Sequence, residues 1–353
     1  MKVQIAGTGG AAGWPEPGCR CASCLRAADS PRARSAIVID GSLTLSAEGA
    51  DQAAGSEQTG DAHPTADTDR TGHRVLAIPG GWDVTAPDGQ RLLYPAGPGA
   101  VPVPPDGTAP YDIAFVDMLG DPFQLGLLRA RGLVTGTTIT LVAFADHRVP
   151  SLADLEHRCA LWQVGLAADG ETGTTARSDV RAIRRVLVIG GARSGKSERA
   201  ELRVAAAPAV TYVATGPTGA DDAGWAARVA AHRARRPRWW QTVETTDLAR
   251  VLTAARETLL IDGMGTWLAA VMDECGAWDG GSPQGRIAEV VAAWRQTRAQ
   301  VVAVSDEAGL GVIPETASGR LFRDCLGRLN QALAAESEEA ELIVAGRVLP
   351  LTW

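Results

Sequence analysis

One stretch limits the folds open to this chain more than any other: VLVIGGARSGKSERAE, residues 186–201. A short apolar run enters a glycine turn and leaves into a polar, helix-forming segment. Gly190, Gly195, Lys196 and Ser197 complete the pattern G-x-x-x-x-G-K-S, with Gly191, Ala192, Arg193 and Ser194 between. Glycines let backbone N–H groups turn inward around phosphate oxygens, and the N-terminus of the following helix adds its dipole. Lys196 supplies a point charge to the β- and γ-phosphates, and Ser197 a ligand for Mg²⁺. A ligand-free glycine turn would also fit the bare pattern. The strand before it and the helix after it favour a nucleotide phosphate. Asp262, ending the apolar run TLLID (258–262), fits the Mg²⁺-side carboxylate of such folds, or alternatively a strand-end cap.

A loop of this kind needs strands and helices in alternation, and the second half of the chain supplies them. VLVIG (186–190), VTYVAT (210–215), TLLIDG (258–263), VVAVSDE (301–307) and ELIVAG (341–346) read as short strands buried on both faces. Helix-like patterns separate them, so the fold class is α/β with a mainly parallel sheet. The first half is strand-rich instead: VQIAG, SAIVID, HRVLAIPG, RLLYPA, YDIAFVD and TITLVAF, with a helix signal at 150–162. Ser46 to Thr71 holds almost no large apolar residue and reads as a loop or disordered insert. Ala168 to Ser178, ADGETGTTARS, reads as a linker, which puts one domain at 1–178 and a second at 179–353, with the boundary near Asp179. The length of 353 residues suits two domains. A net charge of −7 argues against a general nucleic-acid or anionic-membrane binder, and no apolar run is long enough to span a membrane. The N-terminus lacks the pattern of a signal peptide. Of six cysteines, Cys19, Cys21 and Cys24 crowd together, which suggests a metal site in a reducing cytoplasm rather than a disulfide framework.

ARVAAHRARRPRWWQTVE (227–244) is the second unusual stretch. Arg228, Arg233, Arg235, Arg236 and Arg238 surround His232, the only histidine of the C-terminal half. If 221–235 is helical, Arg228 and Arg236 lie four residues either side of His232 on one face. A neutral imidazole framed by guanidinium groups can attack an α-phosphate while the arginines hold the developing charge. A solvated basic face or a nucleic-acid patch are the plainer readings. Trp239 and Trp240 could stack on a base, though tryptophan is more often core.

Taken in order, GGARSGKS, YVAT, the R-x-x-x-H-R-x-x-R-P block with W-x-T-V-E, LLIDGMGTWL, SDEAGLGVIPE and RLFRDCLGRLNQ resemble the bifunctional adenosylcobinamide kinase / adenosylcobinamide-phosphate guanylyltransferase family of cobalamin biosynthesis. The resemblance covers roughly 185–353. It implies a RecA-like P-loop fold and two reactions: an NTP, ATP or GTP, phosphorylates adenosylcobinamide, and GTP then transfers GMP to adenosylcobinamide phosphate through a histidine–GMP intermediate. It implies that Gly190 to Ser197 are the phosphate loop, with Lys196 catalytic. Ala214, Thr215 and Gly216 would lie along the nucleotide, and His232 would be the guanylylated residue. Arg233, Ala234, Arg235, Arg236, Glu244 and Asp262 would be nucleotide contacts, with Ser197 and Asp262 on Mg²⁺. A homo-oligomer is implied as well. One departure is visible: Asp306 stands where the family usually carries Asn.

IAGTGGAAGWPEPGCRCASC (5–24) resembles the opening of metallo-β-lactamase-fold hydrolases, in which such a cysteine cluster holds a structural Zn²⁺. Cys19, Cys21 and Cys24 would need one more ligand, and His147 in FADHRVPS is the candidate; three free thiols are the alternative. The His-x-His-x-Asp-His pattern of that fold is absent. His63 sits alone in the low-complexity insert, and PGGWDV (79–84) and LLYPAGPG (92–99) supply no ligand set for a dinuclear cage. The expectation is a degenerate metallo-β-lactamase-like β-rich sandwich without hydrolytic chemistry. Two other readings compete with the bifunctional transferase: a metal-dependent hydrolase with a regulatory P-loop domain, and a non-catalytic nucleotide-binding module.

Overall fold

The computed structural model describes residues 1–47, 49–52, 67–68, 72–172, 183–216 and 223–351. The chain divides into two compact units, Met1–Val180 and Arg181–Trp353. His63 and Asp179 lie outside the described residues.

The first unit runs β1 (Val3–Gly7), α1 (Ala22–Ala27), β2 (Ala36–Ile39), β3 (Leu43–Ser46), β4 (Gly49–Gln52), β5 (Asp67–Thr68), β6 (Arg74–Ile78), β7 (Gly81–Thr85), β8 (Arg91–Pro95), β9 (Ile113–Val116), α2 (Gln124–Ala130), β10 (Ile139–Val142) and α3 (Leu152–Trp162). Strands β1 to β4 form an antiparallel sheet in sequence order. The other sheet has the order β10-β9-β8-β7-β6-β5, parallel from β10 through β8 and antiparallel beyond. Alternation explains how both reach one core. Val3, Ile5, Ile37, Ile39, Leu43 and Leu45 project from the first sheet, and Val84, Leu92, Tyr94, Ile113 and Phe115 from the second, into a single buried cluster. Two sequence expectations change here. Gly49–Gln52 is strand within the low-complexity insert, because its backbone pairs with β3 (Leu43 opposite Gln52) and pairing asks nothing of apolar side chains. The start of the expected linker is tied down: Ile5 donates to Glu171 O, Gly170 donates to Ile5 O, and Asp169 accepts from the Thr8 and Ala33 amides.

The second unit runs β11 (Arg185–Gly190), α4 (Lys196–Val204), β12 (Val210–Ala214), α5 (Ala223–Arg235), β13 (Gln241–Glu244), α6 (Leu248–Ala254), β14 (Thr258–Asp262), α7 (Met264–Glu274), α8 (Gln284–Gln296), β15 (Val301–Asp306), α9 (Ala317–Ala335), β16 (Glu339–Val344) and β17 (Arg347–Pro350). Its sheet has the order β13-β12-β14-β15-β11-β16-β17. Every pairing is parallel except the last. Strands β11, β14 and β15 are buried on both faces, which is why they read as unbroken apolar runs rather than alternating ones. Helix α9 starts on Thr316, whose hydroxyl accepts from the Gly319 amide. It buries Leu326, Leu329 and Leu333 at helical spacing against the same core as Trp267 and Trp294. In open sheets of this kind, ligands bind outside the carboxyl ends of the strands. Register decides which residues share that edge: Gly190 lies opposite Asp306, and Asp262 lies opposite both Ala214 and Val304. No helix among the described residues is long and apolar enough to cross a membrane.

Candidate active site

The turn after β11 is shaped by two glycines. A Cβ on Gly190 would lie 2.4 Å from Ser194 Oγ, and Gly195 holds a φ of +96°, a conformation that side chains disfavour. Arg193 also takes a positive φ, and it points outward with Gly191 and Ala192. Lys196 and Ser197 open α4 beside the edge just described. Lys196 Nζ lies 3.1 Å from Gly191 O and 3.0 Å from Asp306 Oδ1. Ser197 Oγ donates to Asp262 Oδ1 at 3.4 Å.

Asp262 is the hub. Its Oδ1 faces Ser197, while Oδ2 accepts from the Tyr212 hydroxyl at 2.9 Å and lies 3.3 Å from His232 Nδ1. Burial pushes this carboxyl up, but the hydrogen bonds from His232, Tyr212 and Ser197 outweigh it and hold the group below the ordinary range. It is therefore ionised at neutral pH. A hydroxyl and a carboxylate oxygen, both hard donors, converge from Ser197 and Asp262, a pair that fits Mg²⁺. Thr215 Oγ1 donates to Gly263 O at 2.6 Å, which ties the end of β12, with Ala214 and Gly216 on either side, to the start of α7.

Helix α5 brings His232 to this edge. Arg236, just past the helix end, places its guanidinium 3.6 Å over the Tyr212 ring and donates from Nε to His232 O at 2.9 Å. Arg235 contacts the carboxylate of Glu201 at 3.3 Å, and Arg233 pairs with Glu244 at 2.6 Å. Ala234 is exposed between them, and Arg228 lies outside the described side chains. Trp240 is buried, whereas Trp239 keeps an exposed face. A hollow of about 440 Å³ is lined by Arg233, Arg236, Pro237, Arg238, Trp240, Thr242 and Glu244. A larger one of about 740 Å³, bounded by α6 and β13, contains no phosphate-loop residue. The smaller hollow also contains no phosphate-loop residue; its lining includes Arg236, which donates to His232 O.

One member of this constellation, and one residue beside it, are not visible in the sequence pattern. Tyr212 looks like one more buried strand residue in VTYVAT, and nothing in the pattern says that its hydroxyl reaches a neighbouring strand's Asp. Glu201 is a buried carboxylate in α4, and the only sequence hint is an acidic residue two places from two arginines that are buried as well, Arg199 and Arg203.

The first unit holds a different cluster. The ligand atoms of Cys19, Cys21, Cys24 and His147 all lie within 4.8 Å of one another. Tetrahedral ligands at about 2.3 Å from one ion sit about 4 Å apart, so the donor set and its spacing fit Zn²⁺. The Cys24 amide donates to Cys21 Sγ and lowers that thiol's pKa, while burial pushes Cys24 up to about 11. His147 Nδ1 also meets Glu16 at 3.0 Å. Two buried aspartates of this unit have arginine partners, although Asp83 Oδ1 is left without a hydrogen bond. Asp83 accepts from Arg91 and Tyr111, and Asp117 accepts from Arg148 and three backbone amides.

The sequence profile of the cobinamide kinase / cobinamide phosphate guanyltransferase family matches residues 186–351, within the second unit. Three curated relatives agree with it. The bifunctional adenosylcobalamin biosynthesis protein CobU of Escherichia coli is 35% identical over 175 residues, covering 46% of this chain and 96% of that protein. CobU of Salmonella typhimurium is 36% identical over 175 residues, with the same coverage. The bifunctional adenosylcobalamin biosynthesis protein CobP of Pseudomonas aeruginosa is 37% identical over 174 residues, covering 47% of this chain and 96% of its own. With nearly the whole length of three such relatives aligned to it, and with a phosphate loop, a buried acidic hub and a histidine drawn to one sheet edge, the chain belongs to the cobinamide kinase / cobinamide phosphate guanyltransferase family.

Proposed function

We propose that the Arg181–Trp353 unit performs both reactions of nucleotide loop assembly in cobalamin biosynthesis. In the first, an NTP phosphorylates the aminopropanol hydroxyl of adenosylcobinamide. In the second, GTP donates GMP to adenosylcobinamide phosphate, giving adenosyl-GDP-cobinamide and pyrophosphate. The observation that carries this reading is the meeting of Lys196, Ser197, Asp262 and His232 at one edge of the sheet, which gives one nucleotide pocket both a phosphate cradle and a nucleophile.

In the kinase step the backbone amides of Gly190 to Ser197 hold the phosphates, and Lys196 leaves Asp306 for the transferred group. Phosphoryl transfer asks for positioning and charge stabilisation rather than a protein nucleophile. Ser197 and Asp262 would hold Mg²⁺, which supplies charge neutralisation between phosphate oxygens. In the guanylyl step, Asp262 Oδ2 accepts the hydrogen bond of His232 Nδ1–H and so keeps that proton on Nδ1, which leaves Nε2 its lone pair. Nε2 attacks the α-phosphorus; the N–P bond forms, and the bond to the β-phosphate oxygen breaks with its electron pair leaving as pyrophosphate. A phosphate oxygen of adenosylcobinamide phosphate then attacks the same phosphorus and displaces the imidazole. Arg235 and Arg236 stand where negative charge gathers.

For the first unit we read the cysteine cluster and His147 as a structural Zn²⁺ site in a degenerate metallo-β-lactamase-like scaffold. None of the six cysteines is in a disulfide, in keeping with a cytoplasmic enzyme. The homo-oligomer rests on the family resemblance alone. The test of the central reading is labelling with GTP marked at the α-phosphate. Label should stay on the protein, be lost in acid, survive base, and pass to adenosylcobinamide phosphate on chase. His232→Ala should abolish labelling and guanylyl transfer and keep kinase activity. Guanylyl transfer at the wild-type rate in that variant would mean direct transfer, and the proposed intermediate would be wrong.

A further inference from the structure

Among the described residues of the second unit, several buried ionisable groups have no task in the mechanism above, and one of them, Glu201, lies next to an active-site arginine. Helix α4 buries Arg199, Glu201 and Arg203. The two arginines turn toward Glu341 on β16, and Arg203 also donates to Glu339 on the same strand. Glu201 turns to α5 instead. It is 4% exposed, and its two carboxylate oxygens accept from Nε and Nη2 of Arg235, each at 3.3 Å. A carboxylate taken out of water costs several kcal/mol unless its partner holds it well. These contacts are longer than the usual 2.7–2.9 Å of charge-assisted hydrogen bonds, and Arg235 is half exposed. As a packing device this is a poor bargain, since an apolar side chain on that face of α4 would serve better.

What the pair controls is the surroundings of the nucleophile. Arg235 Nη2 also lies 3.4 Å from His232 Nδ1, the nitrogen that faces Asp262 Oδ2 at 3.3 Å. Arg235 and Asp262 thus compete for one atom. A guanidinium N–H donated to Nδ1 would make that nitrogen the acceptor and put the ring proton on Nε2, where it blocks attack. Glu201 accepts from Nε and from one of the two N–H groups of Nη2, which fixes the guanidinium so that its remaining Nη2 N–H stays at the long distance of 3.4 Å from Nδ1; Asp262 Oδ2 faces the same nitrogen at 3.3 Å, and the guanidinium stays beside the ring as a source of positive charge.

We propose, on the basis of the guanylyl-transfer reading above, that Glu201 is a positioning residue for that step: it anchors Arg235 so that His232 presents Nε2 to the α-phosphate. The kinase step uses Lys196, Ser197 and Asp262, none of which Glu201 touches, so the two reactions should separate. The experiment measures both in Glu201→Gln, which keeps shape and removes the charge. Misplacing a reacting group by about 1 Å costs up to about a hundredfold, so the rate of His232 labelling from α-labelled GTP should fall between about tenfold and a hundredfold. The KM for GTP in guanylyl transfer and the kinase kcat should stay within about twofold. Glu201→Asp, which restores the charge on a shorter arm, should recover part of the labelling rate. Equal losses in both reactions would reduce Glu201 to a packing role and overturn the inference, as would labelling at the wild-type rate. Absence of label on the wild-type protein would instead remove the guanylyl-transfer reading itself, and this inference with it.

Discussion

Each unit places an aspartate at the carboxyl end of a central strand, and the two are held differently. Asp117 follows β9 and is fully buried. It accepts from Arg148 Nη1 and Nη2 at 2.9 and 3.2 Å and from the amides of Gly99, Leu119 and Gly120. Five donors exceed the roughly four lone-pair sites of a carboxylate, so this group is saturated. Asp262 ends β14 and meets two hydroxyls and an imidazole, two of the three contacts longer than 3.2 Å. All three partners are side chains rather than main-chain amides. A strand-end carboxylate closed off by an arginine and main-chain amides is architecture, whereas one held by side chains that can let go is equipped for chemistry.

The sharpest way to break this comparison is to neutralise both aspartates. Asp262→Asn should lower kinase and guanylyl transfer by at least about a hundredfold, because the proposed function gives this carboxylate both the Mg²⁺ and the orientation of His232. Its melting temperature should hardly move. Lys196→Ala should likewise abolish phosphorylation and weaken GTP use. Asp117→Asn should leave both reactions intact and lower the unfolding transition of the first unit by about 10 °C, because it breaks a buried ion pair worth about 3–5 kcal/mol once one partner is gone. Steady-state assays with adenosylcobinamide and a thermal melt read both effects. Activity lost in Asp117→Asn, or kept in Asp262→Asn, would dissolve the distinction.

Glu341 carries the same distinction into the second unit. It accepts four hydrogen bonds from Arg199 and Arg203, at 2.7 to 3.1 Å, and is saturated in the manner of Asp117. Burial pushes it up, yet the two arginines bring it from an ordinary 4.5 down to about 2. A carboxyl depressed on folding stabilises the protein fully above its unfolded pKa, and that share is lost as pH falls through the folded value. About 3 kcal/mol should therefore disappear between about pH 4.5 and 2. Glu341→Gln should remove that acid-labile share and lower the melting temperature at pH 7 by several degrees. Stability measured against pH in both proteins checks this, and an identical acid profile in the variant would contradict it.

The difference between the units also separates what an amino-acid sequence makes legible from what it conceals. The phosphate loop is legible because backbone geometry there demands glycine, and the parallel sheet because strands buried on both faces leave unbroken apolar runs. His232 and Asp262 are legible as residue types near a phosphate. Their hydrogen bond is not, since it depends on how α5 lies across β12 and β14. Tyr212 and Glu201 hide for a related reason: a side chain that acts through one polar atom at its tip has the sequence signature of whatever holds its other atoms. The strand at Gly49–Gln52 hides because its pairing is entirely main chain.

The cysteine cluster offers a smaller test of the same idea. Protein purified without chelator should carry about one Zn²⁺ per chain, and Cys21→Ser should lose most of it. The loss should lower the melting transition of the first unit, where Ser23 Oγ and Arg26 Nη1 already tie this loop to Val149 O and Pro150 O. Both transferase rates should stay within about twofold of the wild type. Zinc content unchanged by Cys21→Ser would rule out the four-ligand site.

The smallest expected effect concerns the one visible departure from the family pattern. Asp306 is 48% exposed, and its Oδ1 lies 3.0 Å from Lys196 Nζ, the charge intended for phosphate. A nucleotide must therefore take Lys196 from a carboxylate and then tolerate that carboxylate nearby. Because the pair is open to water, its strength is at most about 1 kcal/mol, and salt screens it. The position itself is firm: Asn330 Nδ2 donates to Asp306 O, Asn330 Oδ1 accepts from Ser305 Oγ, and the space where a side chain on residue 265 would stand is left open by Gly265. Asp306→Asn keeps that shape, removes the charge and restores the residue type that the family resemblance implies. Nucleotide affinity in the absence of acceptor should rise by no more than about fivefold at low ionic strength, and the gain should shrink toward nothing as salt is added. Calorimetric titration of GTP at two salt concentrations reads both. Weaker binding in the variant would show that Asp306 helps to hold the nucleotide. A gain that persists in high salt would mean that the Lys196–Asp306 pair is shielded from solvent and stronger than its exposure implies.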